Sequence, residues 1–173
     1  VSCAIDKDYI IEVVLGGRGK PQTSILNRGV WSFLDDDEIE GYTYDLDRAK
    51  ELMAEAGYPN GEGFPTIEYS ANDAGYHIPV AEYVQQAWGE LGITVNINKV
   101  EWASFLPMRR AGDYDVSRNG WVMDYNDPSN MLELFTTNNG NNDGKYANPE
   151  FDAAIDASKV ADKSVHFQKL HEA

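Results

Sequence analysis

The stretch TIEYSANDAGYHIPVAEYVQQAWGELGITVNIN, residues 66–98, decides the fold. Thr66 to Ala71 reads as a short strand. Val80, Val84, Ala87, Trp88 and Leu91 recur at helical spacing, and Gly92 closes the run. Ile93, Val95 and Ile97 then alternate with Thr94, Asn96 and Asn98, the pattern of a half-buried strand. Strand, helix and strand in this order form a βαβ unit, which predicts parallel pairing and a right-handed crossover.

Toward the start, Asp6 precedes Tyr9, Ile10, Val13 and Val14, and Gly16-Gly17 follows. That predicts a short helix with an aspartate N-cap and a glycine stop. Residues 16–44 keep no period and carry Pro21, Gly29 and the run Asp35-Asp36-Asp37-Glu38, so a long loop is expected, with the acidic run a solvated face. Asp45 caps a helix whose apolar face is Leu46, Ala49, Leu52, Met53 and Ala56; Gly57 and Pro59 end it. Beyond the βαβ unit, residues 101–111 predict a helix with Trp102, Phe105 and Leu106 on its apolar side. Tyr114 to Val122 predicts a strand, and Pro128 to Phe135 a short helix. After a loop rich in asparagine and glycine, Asn148, Pro149 and Phe151 open a further helix with proline at its first position. The alternation predicts an α/β fold, a mixed sheet flanked by helices, in a single domain over residues 1–173.

Composition narrows the function. The 173 residues carry 14 lysines and arginines against 29 aspartates and glutamates, a net charge of −15. A nucleic-acid surface needs a basic patch, so none is expected. With 42% hydrophobic and 25% charged residues the chain has the makings of a packed domain, not a disordered one. No apolar run approaches the roughly 18 residues of a bilayer-spanning helix. Cys3 is the single cysteine, in an apolar stretch, and reads as a buried structural thiol. Val1 to Ile5 lacks an initiator methionine and a basic leader, and Phe167 to Ala173 stops inside a helical pattern; both suggest a piece of something longer.

Several motifs are decoys. Gly16-Gly17-Arg18-Gly19-Lys20-Pro21 resembles a phosphate loop, but proline stands where serine or threonine would bind the metal, and Gln22 replaces the third glycine of a dinucleotide site. Residues 139–150 place Gly144 at position six and Glu150 at position twelve of a calcium loop. Asn139 at position one lacks the expected charge, and Pro149 suits a helix start better, so a plain asparagine turn is the simpler reading. His166 and His171 are spaced for different faces of a helix, and His77 stands alone. An acidic α/β hydrolase using Asp124 and Asp127 remains an alternative in this carboxylate-rich chain.

The stretch with chemistry in it runs from Arg109 to Pro128. Arg109 and Arg118, two of few cations, flank Gly120, Trp121 and Asp124. An aromatic wall, a carboxylate and two guanidinium groups suit a zwitterion, its ammonium on Asp124 and its carboxylate on an arginine. An interior tryptophan beside surface ion pairs is the plainer reading, and spacing alone favours it.

The sequence resembles the extracellular solute-binding protein family 5, the peptide-binding receptors of bacterial ABC importers. The resemblance rests on Ala4-Ile5-Asp6-Lys7-Asp8-Tyr9-Ile10, Tyr44-Asp45, Ala54-Glu55-Ala56-Gly57-Tyr58, Leu91-Gly92-Ile93, Glu101-Trp102 and Gly112-Asp113-Tyr114-Asp115. Its most specific stretch is Arg118-Asn119-Gly120-Trp121-Val122-Met123-Asp124-Tyr125-Asn126-Asp127-Pro128, with Asn142 and Tyr146 to Asp152 after it. It implies an incomplete distal lobe of a two-lobed receptor of the periplasmic-binding-protein type II fold. It also implies that Asp124 holds a peptide's α-ammonium, Arg118 meets its carboxylate, and Arg109 meets carboxylates at another ligand length. Trp102 and Trp121 match pocket aromatics, Gly120 and Val122 match positions whose backbone pairs with extended peptide, and a ligand-contacting histidine falls at Tyr76 or His77. The partners implied are short peptides and, through the complete receptor, the permease subunits of an ABC transporter. The receptor is expected to be a monomer in the periplasm or on the cell surface as a lipoprotein, with no catalysis, cofactor or metal.

Overall fold

A computed structural model describes residues 1–32 and 41–173. The acidic run 35–38 lies outside the described residues. The elements in chain order are α1 (Lys7–Tyr9), continued by a wider turn over Ile10–Val14, α2 (Leu46–Glu55), β1 (Ile67–Asn72) and α3 (His77–Gly89). Then come β2 (Val95–Val100), α4 (Trp102–Ala111), β3 (Val116–Ser117), α5 (Ser129–Leu132), α6 (Pro149–Ser158) and α7 (Lys163–Glu172).

The parallel pairing expected of the βαβ unit is present. β1 pairs in parallel with β2, Ile67 facing Val95 and Tyr69 facing Ile97, and on its other edge in parallel with β3, Tyr69 facing Val116. The strand order is β2-β1-β3, so β1 is central and its last residues, Ser70, Ala71 and Asn72, are buried. α3 is the crossover; its Gln85 Nε2 donates to the Val95 carbonyl at 2.6 Å, locking helix to strand.

Two strand boundaries differ from the sequence reading for local reasons. Ile93 is buried but does not enter β2, because its amide donates to the Trp88 carbonyl at 3.1 Å and closes the end of α3. Gly92 makes that closure with φ +78. A Cβ there would collide with the Asn60 carbonyl, so this glycine answers both a left-handed turn and a close backbone approach. The strand expected over residues 114–122 shrinks to Val116–Ser117. Asp115 Oδ2, a side chain rather than a ladder carbonyl, accepts from the Glu68 amide at 2.8 Å, and the chain leaves the sheet once the Arg118 amide has bonded the Ser70 carbonyl at 3.0 Å.

Helix starts follow the caps that the sequence offered. Asp6 accepts from the Tyr9 amide at 2.9 Å, Asp45 from Arg48 at 2.8 Å, and Asn148 from Glu150 at 2.9 Å, with Pro149 at the first helical position. The described residues divide into two compact units. Residues 1–23, 41–109 and 113–119 form one; residues 24–32, 110–112 and 120–173 form the other. The first has a core of Cys3, Ala4, Ala49, Met53, Leu91, Ile93 and Val95, which joins α2 to the βαβ unit. The second has its own core of Leu26, Met131, Leu132, Phe151, Ile155 and Leu170.

Candidate functional site

In the first unit, Arg118 stands one residue beyond β3. Its amide is held by Ser70 at the centre of the sheet, and its half-buried side chain reaches the first turn of α3. There the Nε and Nη2 hydrogens donate to His77 Nε2 at 3.0 and 2.7 Å. Burial, then the nearby Arg109 charge, lower the guanidinium's proton affinity, and the Tyr69 phenol opposes them. The group remains a cation at neutral pH. Arg118 and His77 line a cavity of about 550 Å³ with Leu15, Tyr69, Tyr76 and Val80, a mostly apolar wall with a guanidinium set into it. Tyr76 also accepts a hydrogen bond from Arg18 Nη1 at 2.7 Å, and the Arg18 guanidinium lies 5.6 Å from its ring centroid. The arginine of the glycine-rich decoy is therefore a stacking partner at the cavity rim.

Arg109 and Trp102 lie on α4 at a spacing that puts both against Phe105. Phe105 is fully buried. The Trp102 ring stacks on it at 6.0 Å, and the Arg109 guanidinium lies 5.7 Å from its centroid. The helix thus fixes an exposed indole and a cation along one face.

The second unit holds Gly120, Trp121, Val122 and Asp124. All four are exposed, Val122 at 88%. The order of this loop comes from Asn130, on α5 and itself buried. Asn130 Oδ1 accepts from the Trp121 indole Nε1 at 3.0 Å and from the Asp124 amide at 3.2 Å. Sequence reasoning missed this residue, though its place two positions after Pro128 of the Asp127-Pro128 turn is a signal for an ordered helix start. The Asp124 carboxylate is exposed to solvent, while its backbone is pinned.

Asp127, which the hydrolase reading pairs with Asp124, is a tie. Its Oδ1 accepts from the Ser129 amide at 2.9 Å and hydroxyl at 2.7 Å, and its carboxylate faces His166 Nε2 at 3.0 Å. Burial pushes the Asp127 carboxyl up, but the Ser129 hydrogen bonds and His166 outweigh it, leaving the group below the usual carboxylate range. His166 Nδ1 meets the Ser158 carbonyl at 2.6 Å. That bond, helped by Asp127, raises the imidazole above its ordinary value against the pull of burial. In the former calcium decoy, Asn142 Nδ2 donates to the Thr136 and Tyr146 carbonyls at 3.1 and 2.7 Å, so the side chain ties the loop together. Among the described residues no group of three or more His, Cys, Asp or Glu is gathered to hold a metal ion. Among them, too, no helix is long and apolar enough to cross a membrane.

These features can be set beside known proteins. The chain is 37% identical over 160 residues to heme-binding protein A of Haemophilus influenzae, covering 88% of this chain and 28% of that protein. It is 33% identical over 179 residues to the oligopeptide-binding protein OppA of Bacillus subtilis, covering 98% and 32%. Among solved structures, a periplasmic oligopeptide-binding protein of Borrelia burgdorferi superposes with a TM-score of 0.87 at 30% identity, over 99% of this chain and 34% of that one. The chain therefore spans about a third of the length of such relatives. The profile of bacterial extracellular solute-binding proteins, family 5, middle region, matches residues 1–143, and the chain belongs to that family.

Proposed function

We propose that residues 1–173 are an incomplete lobe of an extracytoplasmic, monomeric peptide-binding protein that serves an ABC importer, and that they bind ligand without transforming it. Asp124 takes the peptide's α-ammonium and Arg118 its carboxylate; Arg109 serves carboxylates at another ligand length. Trp121 and Trp102 form aromatic walls, and the backbone of Gly120 and Val122 pairs with the extended ligand. The carrying observation is the exposed Asp124 carboxylate on a backbone that buried Asn130 holds in place. A fixed anion with its face to solvent suits an ammonium that is enclosed only when a two-lobed receptor closes. Backbone pairing is blind to side chains, which supports a broad range of sequences.

One relative is named for heme. The three histidines favour peptide here, because each imidazole has a partner: His77 holds Arg118, His166 faces Ser158 and Asp127, and His171 Nε2 meets the Ser32 carbonyl at 2.8 Å. In the complete receptor, Asp124→Asn is expected to weaken a free-amino tripeptide by about 2–5 kcal/mol in calorimetry while barely changing its N-acetylated form. Equal losses for both would overturn the role, and tight hemin binding without peptide binding would overturn the class of ligand.

A further inference from the structure

The contact between His77 and Arg118 carries more than proximity. A guanidinium has donors and no acceptor, so His77 Nε2, which meets both Nε and Nη2 of Arg118, must be unprotonated. The ring is then neutral, with its proton on Nδ1. That nitrogen is buried and faces the backbone of Asn72 without a hydrogen bond of full geometry. The surroundings agree: burial first, then the Arg118 charge, hold His77 below its ordinary value, opposed only by the Asn72 backbone. The groups packed around it are Arg118 beyond β3, Tyr69 on β1 and Tyr76 before α3, with Arg109 on α4 and Arg18 as further cations acting on Arg118 and Tyr76.

We infer that His77 is a positioning residue that orients the Arg118 guanidinium through a neutral imidazole. With Nε and Nη2 turned to His77, a carboxylate must use the Nη1–Nη2 edge, so the imidazole selects which fork is offered. Protonating His77 removes the acceptor and places a second cation against Arg118, so acid should loosen the fork and weaken carboxylate binding. This rests on the reading of Arg118 as the carboxylate contact, but its first test does not.

In the complete, ligand-free receptor labelled with ¹⁵N-histidine, the His77 signal, assigned by its loss in His77→Gln, should show an unprotonated Nε2 and a protonated Nδ1. Its titration should lie below that of an ordinary histidine and move up in Arg118→Met. A protonated Nε2, or a titration indifferent to Arg118→Met, would overturn the inference whatever peptides do. The second measurement uses tri-alanine and its C-terminal amide. His77→Ala should weaken tri-alanine about tenfold, His77→Gln, whose amide oxygen can accept, should recover most of that, and the amide should be indifferent to both. Wild-type affinity for tri-alanine should fall as pH drops through the lowered His77 titration, and His77→Gln should flatten that profile; identical profiles would overturn it. If Arg118→Met fails to separate tri-alanine from its amide, the proposed carboxylate role falls and the first measurement still stands.

Discussion

A single side-chain oxygen, Oδ1 of Asn130, accepts from the Trp121 indole and from the Asp124 amide. Removing it strands two part-buried donors, and a stranded group costs about 1–3 kcal/mol. Asn130→Ala is therefore expected to lower unfolding stability by about that much in urea and to shift Trp121 emission to the red; an unchanged emission and midpoint would count against the clamp. The residues proposed for ligand contact could be singled out because a carboxylate, two guanidinium groups and an indole fall within 20 positions in a chain of net charge −15, but their roles come from the family resemblance and not from spacing. Asn130 and His77 were not, because a positioning side chain is defined by its partner in space. Nothing in the spacing of His77 and Arg118, 41 positions apart, announces a hydrogen bond.

At the scale of elements, helices announced themselves more reliably than strands. Asp45, Asn148 and the glycine at position 92 act locally, through bonds to residues a few positions away, so their message survives in the sequence. The two-residue β3 did not, since its length is set by where Asp115 and Arg118 meet β1. α7 is tied to the rest of its unit by His166, which bridges the Ser158 carbonyl at the end of α6 and the Asp127 carboxylate before α5. Both acceptors favour the imidazolium. A histidine raised in the fold adds stability that is fully present below its unfolded value near 6.5 and fades as pH rises through the folded value. Asp127, held low, keeps its share above the unfolded carboxyl value and loses it as acid passes the folded one. Raising the pH from 6 toward 9 should thus lower the urea midpoint of the second unit, and His166→Gln should remove that slope. A midpoint constant with pH in the wild type would contradict the bridge.

For the whole molecule, the class of fold and the family were legible because both depend on repeated, redundant signals: an alternation of strand and helix, and matched stretches in order along the chain. The division into two compact units was not, since each core draws on distant segments, Leu26 with Leu170 in one and Cys3 with Val95 in the other. That second pairing has a practical consequence. Cys3 is the only thiol in this stretch and is 9% exposed, wedged under Ala49, Met53 and Leu91 with its carbonyl accepting from the Asp45 amide at 2.8 Å. Alkylation by iodoacetamide should be far slower than that of glutathione in native buffer and should quicken only as the first core opens. A reaction as fast as glutathione's would contradict that burial. With no second sulfhydryl in the stretch to confuse the count, one covalent tag becomes a clock for the breathing of half the molecule.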